Sequence, residues 1–523
     1  YERQFGSKHE LTAGVFTEIF SKISESYSAP TVYGYDPERL SMEVPQSYMI
    51  KSYWGGSNYQ LTGMNSSMAY QNDRFFSVLG NLAYTFNKKY TLSGSFRIDA
   101  SNLIVEDPKL RYSPFWSVGG NWKMDQEDFI KNIPAIDRLN MRLSYGHTGN
   151  VVLSTSIVPL IAISGVYPLT GAPYASIIDY GNPNLTWERT ATVNLGVDYA
   201  FFRNKLFGSI EVYRKHGRDI VGAIDLPRLT GTSTQEFNTA EILNKGVEIN
   251  VGTALPINRK VTWNANLNLS FNKSKVLNLM LLNYNYYAIR SPHFEEGRPV
   301  DAIYSYTYLG LNDQNVPYMR SVNGTTYTFN DVPPVVTDDR EYMEYSGSRQ
   351  PTTILGFQTG FSAYGFDVNV IINGEFGFVF RRPTFDYGIL TNSKASSTIH
   401  SDFTDVLNNT AKGIPGMPPP DVLNLNNWGG YAQFLNTTIE KGDNVRIKEI
   451  NVSYRVPGKL LAAAGLGSAR VYFQLRDPEW IWLANDKGLD PMYIFNSRAS
   501  NSAAAITYVR PAPSYKFGIA FGL

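Results

Sequence analysis

Residues 261–272 read VTWNANLNLSFN and alternate without a break. Val261, Trp263, Ala265, Leu267, Leu269 and Phe271 are apolar, while Thr262, Asn264, Asn266, Asn268, Ser270 and Asn272 are small and polar. A period of two residues belongs to a β-strand whose two faces meet different surroundings. In a soluble sandwich the apolar face packs on a core and the strand is usually about five or six residues long. Twelve alternating residues span roughly 40 Å. A membrane strand needs about nine to eleven tilted residues and turns its polar side to a lumen. The stretch alone fits both, and the rest of the chain has to separate them.

The pattern returns at 11–20, 76–86, 90–99, 115–123, 138–146, 190–201, 205–215, 244–254, 353–363, 366–377, 444–455, 469–475 and 514–523, which makes about fourteen strands in all. In 444–455 the apolar parity shifts between Ile447 and Ile450, the mark of a β-bulge. The connectors alternate in length. Short links (87–89, 202–204, 256–259, 364–365) exchange with long ones (21–72, 147–187, 216–242, 274–350, 380–442, 476–508). Residues 100–112, 124–137 and 456–468 are intermediate. Short turns at one end and long loops at the other are the habit of an outer-membrane barrel. A soluble sandwich has little reason to alternate them so regularly. With the C-terminus on the periplasmic side, fourteen strands make the first run outward and put 21–72 outside the cell.

Composition narrows the function. The 523 residues suffice for several domains or one large barrel. No run of about 18 apolar residues marks a membrane helix, a test that alternating strands escape. Lysine plus arginine (47) nearly balances aspartate plus glutamate (46), which argues against nucleic acid as a partner. With no cysteine there is no disulfide, thiolate metal site or cysteine nucleophile. His9, His147, His216, His293 and His400 are scattered without metal-ligand spacing, and no phosphate-cradling loop is present. The expectation is a protein that is not an enzyme, with no cofactor and no metal. Aromatic residues reach 14%, with 35 tyrosines concentrated in the long links.

Several segments resemble those of one family, the SusC-like (RagA-like) TonB-linked outer-membrane transporters of Bacteroidetes-type bacteria. They are NKKYTLSGSFRIDAS (87–101), LNMRLSYGHTGN (139–150), NPNLTWERTATVNLGVDYAFFRNKLFGSIEVYRKHGRDIV (182–221), NKGVEI (244–249), NKSKV (272–276), GRPVDAIYSYTYLGLN (297–312) and NVRIKEINVSYRVP (444–457). They run in family order from about residue 70 onward. The resemblance implies an all-β, 22-stranded transmembrane antiparallel barrel of which residues 1–523 are the C-terminal portion, about the last fourteen strands. It further implies a plug and an N-terminal extension outside this segment, contact with the TonB complex through that part, and a SusD-like surface lipoprotein as lid. Dimers of barrel-and-lid pairs are a family expectation. The segment RDPEWIWLANDKGLDPMY (476–493) departs from the family pattern, and its Trp480, Ile481, Trp482 and Leu483 suit a membrane belt or a partner contact.

On this reading Trp116, Trp122, Trp263, Phe271, Phe517 and Phe521 face lipid or form an interfacial belt. Arg97, Asp99, Arg142, Asp198, Glu211 and Glu248 face the lumen, where their mixed signs suit a hydrogen-bond network or plug contact better than an ion-selective ring. Tyr53, Trp54, Tyr59, Tyr286, Tyr287, Tyr304 and Tyr306, in the long links, are candidate contacts for substrate or lid, because an aromatic face with a hydroxyl suits both sugars and peptides. The same rings equally suit loop-to-loop packing. The leading expectation is import of a bulky nutrient, glycan or oligopeptide, across the outer membrane. A structural subunit of an assembly or secretion complex and a passive porin are the alternatives.

Overall fold

The computed structural model describes residues 1–28, 67–102, 113–150, 158–166, 173–225, 234–279, 295–330, 342–385, 400–418, 431–461, 465–479, 481–495 and 512–522, with short pieces at 33–36, 41–43, 48–51, 58–61 and 506–507 and isolated residues between. Its main element is one sheet of sixteen strands, fifteen of them along a single path. In chain order these are β1 (Glu2–Phe5), β2 (His9–Ser28), β3 (Ser67–Phe86), β4 (Tyr90–Ser101), β5 (Ser113–Lys123), β6 (Ile136–Asn150), β7 (Glu188–Phe201) and β8 (Leu206–Asp225). Then follow β9 (Thr234–Asn258), β10 (Val261–Leu279), β11 (Thr353–Ala363), β12 (Phe366–Phe376), β13 (Asn444–Arg455), β14 (Ser468–Arg476) and β15 (Ser514–Gly522). Each pairs antiparallel with the next in sequence. This is the up-and-down meander of a barrel wall.

Two expectations need correction. A short strand, β1, precedes the fourteen read from the alternation, pairing Glu2–Phe5 with Thr12–His9. Its ERQF sequence carries too few residues for a period to show. Residues 216–242 are not a long loop: β8 and β9 stay paired from Leu206↔Thr253 out to Asp225↔Thr234. Past the membrane the wall needs no apolar face, so KHGRD (215–219) loses the alternation while keeping the strand. The register breaks around Gly217 and Ile220 mark where the ladder becomes irregular.

The bulge expected in 444–455 is present. Ile371 pairs with Glu449 while its neighbour Ile372 pairs with Ile447, so Lys448 is the extra residue. The two-residue turn Tyr364–Gly365 joins β11 to β12, with φ of 52° and 92°. Two successive positive φ values give the mirror-image turn whose twist matches the flanking strands, and glycine supplies the second at no steric cost.

Register carries one face across the whole wall. Tyr90 pairs with Trp122, Trp122 with Met141, Met141 with Val197, Val197 with Ile210, Ile210 with Ile249, Ile249 with Leu269 and Leu269 with Leu355. The opening stretch therefore lends its apolar side to a continuous apolar surface. That surface lies open: Val118, Leu143, Val193, Leu195, Val212 and Phe361 are all exposed. An uncovered apolar face this wide belongs in lipid rather than in water. Trp263 donates its indole N–H to Thr359 Oγ1 at 2.9 Å, so the polar atom of a membrane-facing ring is satisfied within the wall.

The two longest links fold into structure of their own. A four-stranded sheet has the order 326–328, 317–320, 302–311, 343–348, and strand Val379–Arg381 pairs with Ile439–Lys441. Between them lies the chain's main apolar core, with Met319, Phe329, Phe385, Tyr387, Trp428 and Leu435 fully buried. A barrel wall has no such core, so this is a separate extracellular module. The tyrosine-rich segment GRPVDAIYSYTYLGLN is thus largely strand, Ala302–Leu311, not loop.

Candidate functional site

The six charged residues read as lumen-facing all sit on the polar face. Arg97 donates from Nε to Asp99 at 2.7 Å and from Nη2 to Glu18 at 3.1 Å and Ser77 Oγ at 2.9 Å. Two strands away, Arg142 donates from Nε to Asp198 at 2.8 Å and from Nη2 to Glu211 at 2.9 Å. Asn194 donates to the other Glu211 oxygen at 3.2 Å. Glu248 stands directly across from Glu211 on the neighbouring strand and across from Ser270 on the other side. A third pair, Arg476 Nε to Glu449 at 2.9 Å, continues the theme, with Asn451 donating to Glu449 at 2.5 Å. Each exposed pair contributes only about 0–1 kcal/mol to stability. Their effect is on the wall itself, which becomes hydrophilic and carries both signs, three arginines among six carboxylates.

Between the ion pairs runs a ladder of amides. Asn250 donates to Asn266 at 3.3 Å and also to Asn268, and Asn268 donates to Asn266 at 2.8 Å. A concave patch of about 290 Å³ opens over this region, lined by Glu211, Glu248, Asn250, Asn268, Ser270 and Asn373. Within 261–272, Asn266 and Asn268 thus bond to each other along the strand and to Asn250 across it, and Asn272 accepts from the Tyr213 hydroxyl at 3.3 Å.

Of the residues read as lipid-facing, Phe517 (75% exposed), Phe521, Trp116 and Phe271 are exposed on the apolar face, and Trp122 and Trp263 are half-buried on it. Trp482, in the strand Ile481–Leu483, pairs with Val445 near the extracellular end of the same face and is exposed.

The candidate ligand-facing aromatics divide differently. Tyr53, Trp54, Tyr286 and Tyr287 lie outside the described residues, as does the side chain of Tyr59, whose backbone pairs with Ile50. Tyr304 and Tyr306 are 8% and 5% exposed and belong to the core of the extracellular module. Their rings pack on Tyr345 and Tyr431, the second of the two packing uses open to them in the sequence. Desolvation, then the 2.5 Å bond it donates to Glu295, pushes the Tyr304 hydroxyl well above the ordinary phenol range.

Arg381, which no sequence motif marks, holds the module together. It is 7% exposed and donates to the carbonyls of Tyr304 (2.7 Å), Leu435 (3.2 Å) and Gln433 (3.3 Å) and to the hydroxyls of Thr438 (2.8 Å) and Ser305 (2.9 Å). One guanidinium therefore ties the link after β10 to the link after β12. Burial lowers its pKa to about 9, which leaves it charged at neutral pH. Tyr306 adds a backbone tie, its N–H donating to Phe434 O at 3.0 Å.

At the opposite, short-turn end, Glu127 accepts from Lys89 Nζ at 2.9 Å, from Trp122 Nε1 at 3.1 Å and from the Tyr90 hydroxyl. Those bonds, Tyr90's first, hold its carboxyl down at about 2. Sequence reading missed Glu18, Glu127, Glu449 and Arg476. The first and the last two share the polar parity of their strands and become visible once register is known. Among the described residues no group of three or more histidine, aspartate and glutamate side chains is placed to hold a metal.

A family model described as TonB dependent receptor-like, beta-barrel matches residues 4–351. TonB-dependent receptor P3 of Formosa agariphila is 25% identical over 460 residues, covering 83% of this chain and 44% of that protein. TonB-dependent receptor SusC of Bacteroides thetaiotaomicron is 27% identical over 210 residues, 39% of this chain and 21% of that one. Among solved structures, that of the RagAB peptide transporter superposes with a TM-score of 0.76 at 21% identity, covering all of this chain and 54% of that one. The chain thus spans about half the length of the most extensively matched curated relatives.

Proposed function

Because the chain belongs to the TonB dependent receptor-like β-barrel family and is an integral protein of the outer membrane, we propose that it forms the wall and extracellular rim of an energised nutrient importer. The observation that carries this reading is the wall's two faces: one apolar and open, the other a ladder of amides and ion pairs. On this proposal Trp116, Trp122, Trp263, Phe271, Phe517 and Phe521 meet lipid. Arg97, Asp99, Arg142, Asp198, Glu211 and Glu248 meet the water, plug or cargo in the lumen. A wall of mixed sign suits a bulky, polar cargo better than an ion, which calls for a ring of one sign.

The cargo class we favour is an oligopeptide, supported by the RagAB peptide transporter as a structural neighbour, with a glycan as the other class. A SusD-like surface lipoprotein closes the extracellular side as a lid and docks on the module that Arg381 pins. The plug and the TonB contact come from the rest of the polypeptide, and barrel-and-lid pairs associate as dimers. Tyr53, Trp54, Tyr59, Tyr286 and Tyr287 remain the proposed aromatic contacts for cargo or lid. The test uses cells lacking the full-length chain, given a defined oligopeptide pool or a defined glycan as sole source. Loss of energised uptake of one class, and co-purification of a surface lipoprotein with the tagged chain, is the expected result. Undiminished uptake of both classes would overturn import and leave a structural role in an outer-membrane assembly.

A further inference from the structure

The apolar face is not smooth. Near the short-turn end a groove of about 460 Å³, almost wholly apolar, runs over Gly120 between Leu92 and Leu143 and is walled by Tyr84, Tyr90 and Trp122. Gly120 pairs with Leu92 on one side and with Leu143 on the other, so each neighbouring strand offers a leucine where β5 offers nothing. A Cβ built on Gly120 meets no atom within 4 Å, and its φ is not in the left-handed region. Neither backbone conformation nor crowding requires a glycine here. What the glycine supplies is the notch.

The wall of the notch is fixed from outside the membrane. Tyr90 and Trp122 stack with their ring centroids 6.4 Å apart, and Glu127 accepts from the polar atom of each. Satisfied by one carboxylate, the two rings hold their apolar bodies over the groove. The turn that bears Glu127 also carries Phe129 and Ile133, 65% and 42% exposed, so apolar surface continues past the last wall residues. Exposed aromatic and aliphatic side chains flanking a membrane wall suit the headgroup level.

We propose that this notch seats one acyl chain of a phospholipid from the periplasmic leaflet, held more tightly than the lipid around it. The occupant follows from place and chemistry. The groove lies on the lipid-facing side of an outer-membrane wall, at the periplasmic end, and only hydrocarbon reaches it there. Its volume falls within the range of specific small-molecule sites, about 300–1,000 Å³. The inference rests on the apolar face lying in lipid and is independent of what the barrel imports.

The test is native mass spectrometry of the full-length protein, purified in mild detergent, delipidated, and titrated with dioleoylphosphatidylglycerol or dioleoylphosphatidylethanolamine. The wild-type protein should retain one lipid at a detergent concentration that strips the rest, and G120F should lose it, with occupancy falling at least tenfold. G120V is the second variant should the phenylalanine disturb assembly, and L267F is a volume control on the same face, four strands beyond the groove in β10. Heat-modifiable migration of each variant shows separately that the barrel sits in the membrane. Retention confined to wild type and L267F supports the seat, and a preference between the two headgroups would add recognition at the rim. Equal retention in G120F and wild type, or none in wild type, overturns it, even when every variant is a well-assembled barrel.

Discussion

Replacing Arg381 with methionine keeps a long apolar stem and removes the guanidinium fork. Three carbonyls and two hydroxyls then lose their donor at distances of 2.7–3.3 Å. Hydrogen bonds to a charged group are worth about 1.5–3 kcal/mol each, but five such terms share one desolvated cation and do not add. Breaking a buried charged network typically costs about 3–5 kcal/mol, and that is the expected loss for R381M. At about 1.4 kcal/mol per decade, the opening equilibrium of the module should shift by roughly two to three and a half decades. Hydrogen exchange read by mass spectrometry on the full-length protein resolves this by peptide. Segments 302–311 and 431–441 should exchange faster together, because the Tyr306 amide donates to Phe434 across the two links. The hairpin 353–376 should not change, since its amides belong to the wall ladder. R381K should recover only part of the protection, because an ammonium cannot span five acceptors arranged for a planar fork. Acceleration confined to 431–441, or none beyond threefold anywhere, would refute the idea that one side chain joins the links.

Further outcomes follow from the wall and its lower rim. L267R places a charge on the apolar face near the middle of β10 and should destabilise the assembled barrel by about 2–4 kcal/mol in urea titrations, whereas N266R on the polar face should stay within about 0.5 kcal/mol. Glu127 has its folded pKa, about 2, below the ordinary 4.5. Its contribution is therefore fully present above pH 4.5 and lost as pH falls through about 2. Exchange protection of 124–131 should accordingly hold from neutrality to pH 4.5 and decline below, and E127Q should show the reduced level at every pH. F521D puts a carboxylate on the apolar face of the last strand, opposite Ala469, and should abolish heat-modifiable barrel in the outer membrane, while normal levels would count against the strand's membrane position.

Most of the wall was legible because a strand between lipid and water must alternate, residue by residue. VTWNANLNLSFN kept a strict period along its length, and even the extra residue Lys448 announced itself as a parity shift. Where lipid ends, that constraint ends too. The outer halves of β8 and β9 read as loop because KHGRD has no reason to alternate. The tyrosines of 302–311 read equally as ligand-facing or as packing, since a ring with a hydroxyl serves either purpose and only the fold decides. Arg381 was invisible for another reason: its acceptors are mostly main-chain carbonyls some 52–77 residues away in sequence, and carbonyls leave no trace in side-chain identity. The Gly120 notch is legible only in three dimensions, as an absence between two leucines on neighbouring strands.

The chain contains no cysteine, so single cysteines introduced along β10 of the full-length protein report one position at a time. Labelling intact outer membranes with a membrane-impermeant maleimide at each residue from Asn264 to Phe271 tests the two-faced wall directly. A wall with one face in lipid and the other in the lumen gives a sawtooth: Asn264, Asn266, Asn268 and Ser270 accessible, Ala265, Leu267, Leu269 and Phe271 protected. Uniform labelling, uniform protection, or a sawtooth of opposite phase would contradict it.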